Sequence, residues 1–224
     1  MTIDFLSLRR KMVDNQIRTV DVTDLGILAA FLRIKREEFV PDSRRNFAYL
    51  DSDVVFNSTQ ENEAPRSLMR PAALARLLQL AQLKPQDRVL NIGATTGYAC
   101  ALLSGLVAHV VALESDADLS HQALEILRRQ SIDNVEVVCA PMEEGHVASA
   151  PYDVILCEGA ADFVPPVLFE QLRENGRLLI VEGHGLAGEA KLYLKENGVV
   201  SVRGAFNLAL APLRGFQNGH KFVF

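Results

Sequence analysis

Apolar residues recur at helical spacing in the first third of this chain, whereas beyond residue 85 they gather into short runs separated by helix-length intervals. Ile3 to Asn15 and Thr23 to Ile34 carry the helical period, with Thr23 as the expected N-cap of the second. Pro71 to Gln82 opens with proline in the first helical turn, where its missing N–H has no intrahelical partner to lose. After Pro85-Gln86-Asp87, the runs Val89 to Ile92, Val110 to Glu114, Val135 to Cys139, Val154 to Cys157 and Leu178 to Val181 read as strands. Tyr98 to Leu106 and Leu119 to Gln130 have the length of crossover helices between them. The alternation predicts an α/β fold with a largely parallel sheet, right-handed connections and a ligand site at the carboxyl ends of the strands. The chain divides near residue 85 into a mainly helical segment, 1–84, and an α/β domain, 85–224, expected to form one unit.

The first strand runs into the loop Gly93-Ala94-Thr95-Thr96-Gly97, in the segment VLNIGATTGY. Gly93 and Gly97 permit a tight strand-to-helix turn. Glu114 closes the second strand 17 residues after Gly97, about where a carboxylate meets ribose hydroxyls in dinucleotide folds. A full glycine fingerprint would have glycine at Thr95, and here a β-branched side chain hinders close approach of a ligand. Asn91, at the end of the first strand, brings an amide rather than a carboxylate. Taken alone, the loop fits a nucleoside site or an ordinary turn.

Composition narrows the class. The chain has 224 residues, 49% of them hydrophobic, and a net charge of −5, enough to bury a core without disulfides or structural metal and unfavourable for a nucleic-acid surface. Arg33, Lys35, Arg36, Arg44 and Arg45 form a local basic patch, expected to be a solvated helix face. No apolar run reaches the roughly 20 residues of a membrane span, and the N-terminus lacks a signal-peptide core, so a cytoplasmic protein is expected. Cys100, Cys139 and Cys157 have no CxxC pairing and are expected in the core. His109, His121, His146, His184 and His220 have no metal-ligand spacing, and no metal is assigned. The GxSxG and Walker patterns are absent, which takes away the main support for hydrolase and kinase readings.

RRKMVDNQIR (Arg9 to Arg18), REEFVP (Arg36 to Pro41), AYLDSDV (Ala48 to Val54), VLNIGATTGY, PYDVIL (Pro151 to Leu156) and QLRENGRLLI (Gln171 to Ile180) follow one another in that order. Together they resemble the protein-L-isoaspartate O-methyltransferase family, from about Arg9 to about Pro212, where FNLALAPL is similar to that family's closing strand. The resemblance implies a Rossmann-like methyltransferase fold with an N-terminal helical segment and S-adenosylmethionine as methyl donor. It implies as substrate an isoaspartyl carboxylate in a damaged protein or peptide. Gly93 and Gly97 match the family's donor loop, with Asn91 and Thr95 beside them, and Glu114 matches its ribose carboxylate.

Departures gather where the chemistry is expected. The family's substrate segment reads like TISQP, with a serine near the reacting carboxylate, and Ser67-Leu68-Met69-Arg70-Pro71 has Met69 there. Met69 can shape an apolar pocket but cannot donate a strong hydrogen bond. Ser67 and Arg70 remain as groups able to orient a carboxylate, a solvated Arg70 being the alternative. After the third strand Ala140-Pro141-Met142 replaces GDG, which removes a carboxylate and a backbone donor and leaves Met142 on the cofactor side. Glu143 and Glu144 are either substitutes for that acid or solvated loop charges. Glu158, at the carboxyl end of the fourth strand, either attracts a cationic donor or is structural.

Two function classes follow: an active S-adenosylmethionine-dependent protein carboxyl methyltransferase, and a degenerate relative that keeps the fold as a binding or scaffold protein. A nicotinamide dehydrogenase has only the glycine turn in its favour. Glu114→Gln is expected to weaken donor affinity with little change in stability.

Overall fold

A computed structural model describes residues 3–56, 65–183 and 185–218. Two of the five histidines, His184 and His220, lie outside the described residues. The N-terminal part contains α1 (Phe5–Met12), α2 (Leu25–Arg33), a short hairpin of β1 (Val54–Val55) with β2 (Ser67–Leu68), and α3 (Pro71–Leu80). Asp4 and Asp24 cap α1 and α2, their carboxylates accepting from the amides of Ser7 and Ile27. The expected cap at Thr23 is therefore displaced by one residue, and the Thr23 amide donates instead to Gln79 Oε1 on α3 (2.7 Å). The expected first helix ends early as an α-helix, continuing as a π-helical turn over Val13–Ile17.

Beyond residue 85 come β3 (Arg88–Ile92), α4 (Tyr98–Leu103), β4 (His109–Glu114), α5 (Ala117–Arg129), β5 (Val135–Cys139), β6 (Tyr152–Ala161), α6 (Pro166–Glu170) and β7 (Leu172–Glu182), closed by β8 (Glu189–Glu196) and β9 (Val199–Asn207). They form a seven-stranded sheet of order β5-β4-β3-β6-β7-β8-β9, parallel from β5 to β7 and antiparallel at β8 and β9. This is the expected α/β class, and all five apolar runs lie in strands. The strands of the sheet's middle are buried on both faces, so they read as continuous apolar runs.

Sequence reading overlooks the last hairpin. In β8 only alternate positions such as Ala190 and Leu192 are buried, while β9 is an edge strand with mostly exposed side chains. Asn197 (φ 53°) and Gly198 (φ 74°) turn the chain between them, a two-residue hairpin signal present in the sequence. FNLALAPL is correspondingly not a closing strand. Only Phe206 and Asn207 belong to β9, after which the chain crosses to β6, where Pro212 bridges Ala160 and the Leu213 amide donates to the Ala160 carbonyl (2.7 Å).

The two parts share their core. One apolar cluster joins Met12, Ile17, Phe31 and Leu74 to Val89, Ala99, Val154 and Leu179. Three of the motif segments also meet in a buried polar cluster: Arg9 donates to the Tyr49 hydroxyl (2.8 Å) and to Glu37 (3.1 Å), and Tyr49 donates to Glu37. The boundary at Pro85-Gln86-Asp87 is pinned, because Arg177 on β7 donates to the Ala81 carbonyl (2.7 Å) and to Asp87 (2.5 Å).

The basic patch is not one solvated face. Arg36 is completely buried, donating to the carbonyls of Ala48 (2.8 Å) and Met69 (2.9 Å) with its guanidinium over the Tyr98 ring. Cys100 and Cys157 are core residues as expected, but Cys139, at the end of the sheet's edge strand β5, is exposed. Among the described residues no helix is long and apolar enough to cross a membrane.

Candidate active site

The loop after β3 turns over three residues of positive φ: Gly93 (84°), Thr95 (49°) and Gly97 (88°). Thr95 thus takes a left-handed conformation that disfavours a β-branched side chain, at the position where glycine would relieve it. Its buried hydroxyl has no hydrogen-bond partner. The loop is held from β4, since the Gly93 and Ala94 amides donate to the Leu113 carbonyl (2.9 and 3.1 Å) and the Thr95 amide donates to Glu114 Oε2 (2.9 Å). Glu114 and the glycine loop therefore converge at the carboxyl edge of the sheet. A Cβ added at Gly97 would stand 3.3 Å from Leu127 and 3.4 Å from Ala123 of α5, so the glycine serves close packing as well as the turn.

Glu114 is fully buried and heavily bonded. Its Oε1 accepts from the amides of Ser115 (2.9 Å) and Asp116 (3.2 Å), and the guanidinium of Arg66 spans both carboxylate oxygens, with its Nη2 3.0 Å from Oε2. This geometry bears on the expectation that Glu114→Gln changes stability little, because removing the charge would leave the buried Arg66 guanidinium without its counter-charge. Arg66 was missed in the sequence reading. It precedes the substrate segment, and nothing in the spacing joins it to a residue 48 positions away.

Glu158 lies across the loop on β6, just past the pairing of Cys157 with Ile92. It is 5% exposed, and neither carboxylate oxygen has a hydrogen-bond partner. Burial pushes its pKa up from 4.5 to about 7, opposed by the nearby Asn91 amide and the Arg66 guanidinium. Asn91 is turned into the core, its amide donating to the Leu156 carbonyl (3.4 Å) and its oxygen accepting from the Cys100 thiol (3.0 Å).

The substrate segment approaches from the N-terminal side. Ser67 is half-buried on β2, and Met69 is buried in the apolar cluster with its carbonyl bound by Arg36. Arg70 is not simply solvated: its guanidinium lies 3.6 Å from Asp53 and donates to the Ala209 carbonyl (3.2 Å), tying this segment to the chain after β9. Met142 is fully buried in the apolar cluster on the other face of the sheet, which also holds Ile92 and Leu113. Glu143 reaches Gly215, where an added Cβ would stand 2.1 Å from its Oε2, whereas Glu144 is exposed.

The chain matches the sequence model of the protein-L-isoaspartate(D-aspartate) O-methyltransferase family over residues 7–216. A protein-L-isoaspartate O-methyltransferase of Koribacter versatilis is 37% identical over 209 residues, covering 93% of this chain and 91% of the relative. The one from Opitutus terrae is 36% identical over 191 residues, covering 85% and 79%. Among solved structures, a protein-L-isoaspartate O-methyltransferase superposes with a TM-score of 0.79 at 29% identity, covering 92% of this chain and 66% of its own. A candidate enzyme of the same kind from Plasmodium falciparum, in complex with S-adenosyl-L-homocysteine, superposes with a TM-score of 0.76 at 20% identity, covering 95% and 99%, which supports the fold. By the match of both parts of its sequence and of its fold, the chain belongs to the protein-L-isoaspartate O-methyltransferase family.

Proposed function

We propose that this chain uses S-adenosylmethionine to methylate the side-chain carboxylate of isoaspartyl residues in damaged polypeptides. The observation that carries the reading is the pairing of two buried carboxylates around the glycine loop: Glu114, bonded to the Thr95 amide, and Glu158, whose oxygens lack partners. These fit the two ends of such a donor. Glu114 has the chemistry to accept from ribose hydroxyls, and Glu158 has two buried acceptors for a cationic group, whose charge favours its ionised form.

When bound, the donor supplies an electrophilic methyl on sulfur, and transfer to a carboxylate oxygen leaves a methyl ester and the demethylated thioether. The acceptor carboxylate is already a nucleophile, so the protein needs to position it and exclude water rather than supply a strong base. Gly93, Thr95 and Gly97 shape the donor loop, with Asn91 behind it and Met142 buried just past the end of β5. In the proposed acceptor site Ser67 contributes a hydroxyl, Met69 an apolar wall, and Arg70 a cation held by Asp53. The two buried free thiols, Cys100 and Cys157, and the exposed one, Cys139, support a reducing compartment such as the cytoplasm.

Calorimetric titration with S-adenosylmethionine and S-adenosylhomocysteine, together with methyl-ester formation on an isoaspartyl peptide and on its aspartyl counterpart, tests the proposal. Binding of both nucleosides and methylation of the isoaspartyl peptide alone are expected. Binding without turnover would leave a binding protein, and no binding would overturn the donor assignment.

A further inference from the structure

We infer that Arg66 is a built-in competitor for the donor's ribose: its guanidinium occupies Glu114 and the open face of Gly93, and has to withdraw before a nucleoside engages that carboxylate. The inference rests on reading the loop as an S-adenosylmethionine site.

An ionised carboxylate offers about four lone-pair positions. On Glu114 the amides of Ser115, Asp116 and Thr95 take three contacts, at 2.9, 3.2 and 2.9 Å. Arg66 adds two more, with Nε at 3.2 Å from Oε1 and Nη2 at 3.0 Å from Oε2, and the Ser115 hydroxyl a longer one to Oε1 at 3.5 Å, so the acceptor positions are filled. A ribose diol needs acceptor positions on this same group. The three amides belong to the glycine loop and the end of β4, so they cannot leave without unmaking the site. Arg66 can leave by side-chain rotation alone, because its backbone is anchored separately: its carbonyl accepts from the Phe56 amide (2.8 Å), and the next residue, Ser67, pairs with Val55.

The loop gives a second, independent observation. A Cβ built on Gly93 would stand 2.6 Å from Arg66 Nη2, so the guanidinium covers the surface that a residue without a side chain leaves open. The side chains of the pair are 5% and 1% exposed, and little solvent screens their attraction. The closed arrangement accordingly dominates in the free protein, and apparent donor affinity is reduced by the small fraction of molecules in which Arg66 has withdrawn.

Affinities of S-adenosylhomocysteine and of adenosine, measured by calorimetry for the parent, Arg66→Gln and Arg66→Lys, test the inference. Gln keeps hydrogen-bonding ability without charge, and Lys keeps charge without the guanidinium fork. At least a 10-fold gain in affinity is expected for Arg66→Gln, of similar size for both nucleosides because the competition is at the ribose. A smaller gain is expected for Arg66→Lys, which keeps the test open if the Gln variant does not fold. Binding by the variants alone supports the inference as well. Equal or weaker binding by the variants, with the parent binding, overturns it and leaves the donor assignment standing. A gain confined to S-adenosylhomocysteine overturns the competition at the ribose. No binding by any of the three proteins overturns the inference and the donor assignment together.

Discussion

Cys100 donates its thiol hydrogen to Asn91 Oδ1 across 3.0 Å, and this contact decides which way the amide faces. Its nitrogen donates to the Leu156 carbonyl, and beside Glu158 this neutral amide favours the ionised carboxylate without adding a charge of its own. Asn91→Asp would put a second carboxylate next to a buried one. A loss of about 2–4 kcal/mol is expected at pH 8, shrinking toward pH 5 as the carboxyls take up protons. Urea denaturation at the two pH values checks it, and a pH-independent loss would remove the electrostatic cause.

Glu158 makes stability depend on pH with a definite sign. Its folded pKa is raised from 4.5 to about 7, so between those values the unfolded chain releases a proton that the folded chain keeps, and stability falls as pH rises. Above about pH 7 the loss is complete. Glu158→Gln stays neutral throughout and should stabilise the protein by about 1–3 kcal/mol at pH 8, with most of that gain gone at pH 5. Denaturation midpoints of parent and variant across this range provide the test. The same variant should bind S-adenosylmethionine more weakly, having lost an anionic partner for its cationic group.

Thr95 holds a left-handed conformation with a buried hydroxyl that has no partner. Relief of the backbone strain, worth about 1–3 kcal/mol, outweighs the roughly 0.4–1 kcal/mol of extra chain entropy that glycine gives the unfolded state. Thr95→Gly should therefore stabilise the fold by about 1 kcal/mol and ease close approach of a ligand to the loop. A lower unfolding midpoint would show that the threonine methyl contributes packing greater than the strain.

Glu114→Gln is expected to act twice. Loss of a charge-assisted acceptor weakens donor binding by about 1–3 kcal/mol. The buried guanidinium of Arg66 also loses its counter-charge, so stability falls by about 3–5 kcal/mol, contrary to the expectation from sequence. Calorimetry and chemical denaturation separate the two effects. An unchanged midpoint would mean that Arg66 finds another partner.

Met69→Ser tests the acceptor side. The methionine is 3% exposed in the apolar cluster, so truncation should cost about 2–4 kcal/mol. If residue 69 faces the acceptor carboxylate, as proposed, methylation of an isoaspartyl peptide per folded molecule should rise while donor affinity stays constant. Unchanged methylation would remove residue 69 from the acceptor site.

What the sequence determined by itself was the local and repetitive part of the protein. Strands β3, β4 and β6 are buried on both faces and so appear as unbroken apolar runs, α4 is likewise buried all round, and the amphipathic α5 shows one buried stripe. The glycine turn and the acidic end of β4 were legible for the same reason, since both belong to one βαβ unit. Strand β9 was not, because an exposed edge leaves no apolar period, although Asn197-Gly198 marked its turn. Nor did spacing reveal that Arg36 is buried against Tyr98, that Arg177 pins Asp87, or that Arg66 claims Glu114. Periodicity records which side of an element meets the core. The partner of a buried charge is chosen by where distant segments return, and with Arg66 and Glu114 48 positions apart only the tertiary structure decided it.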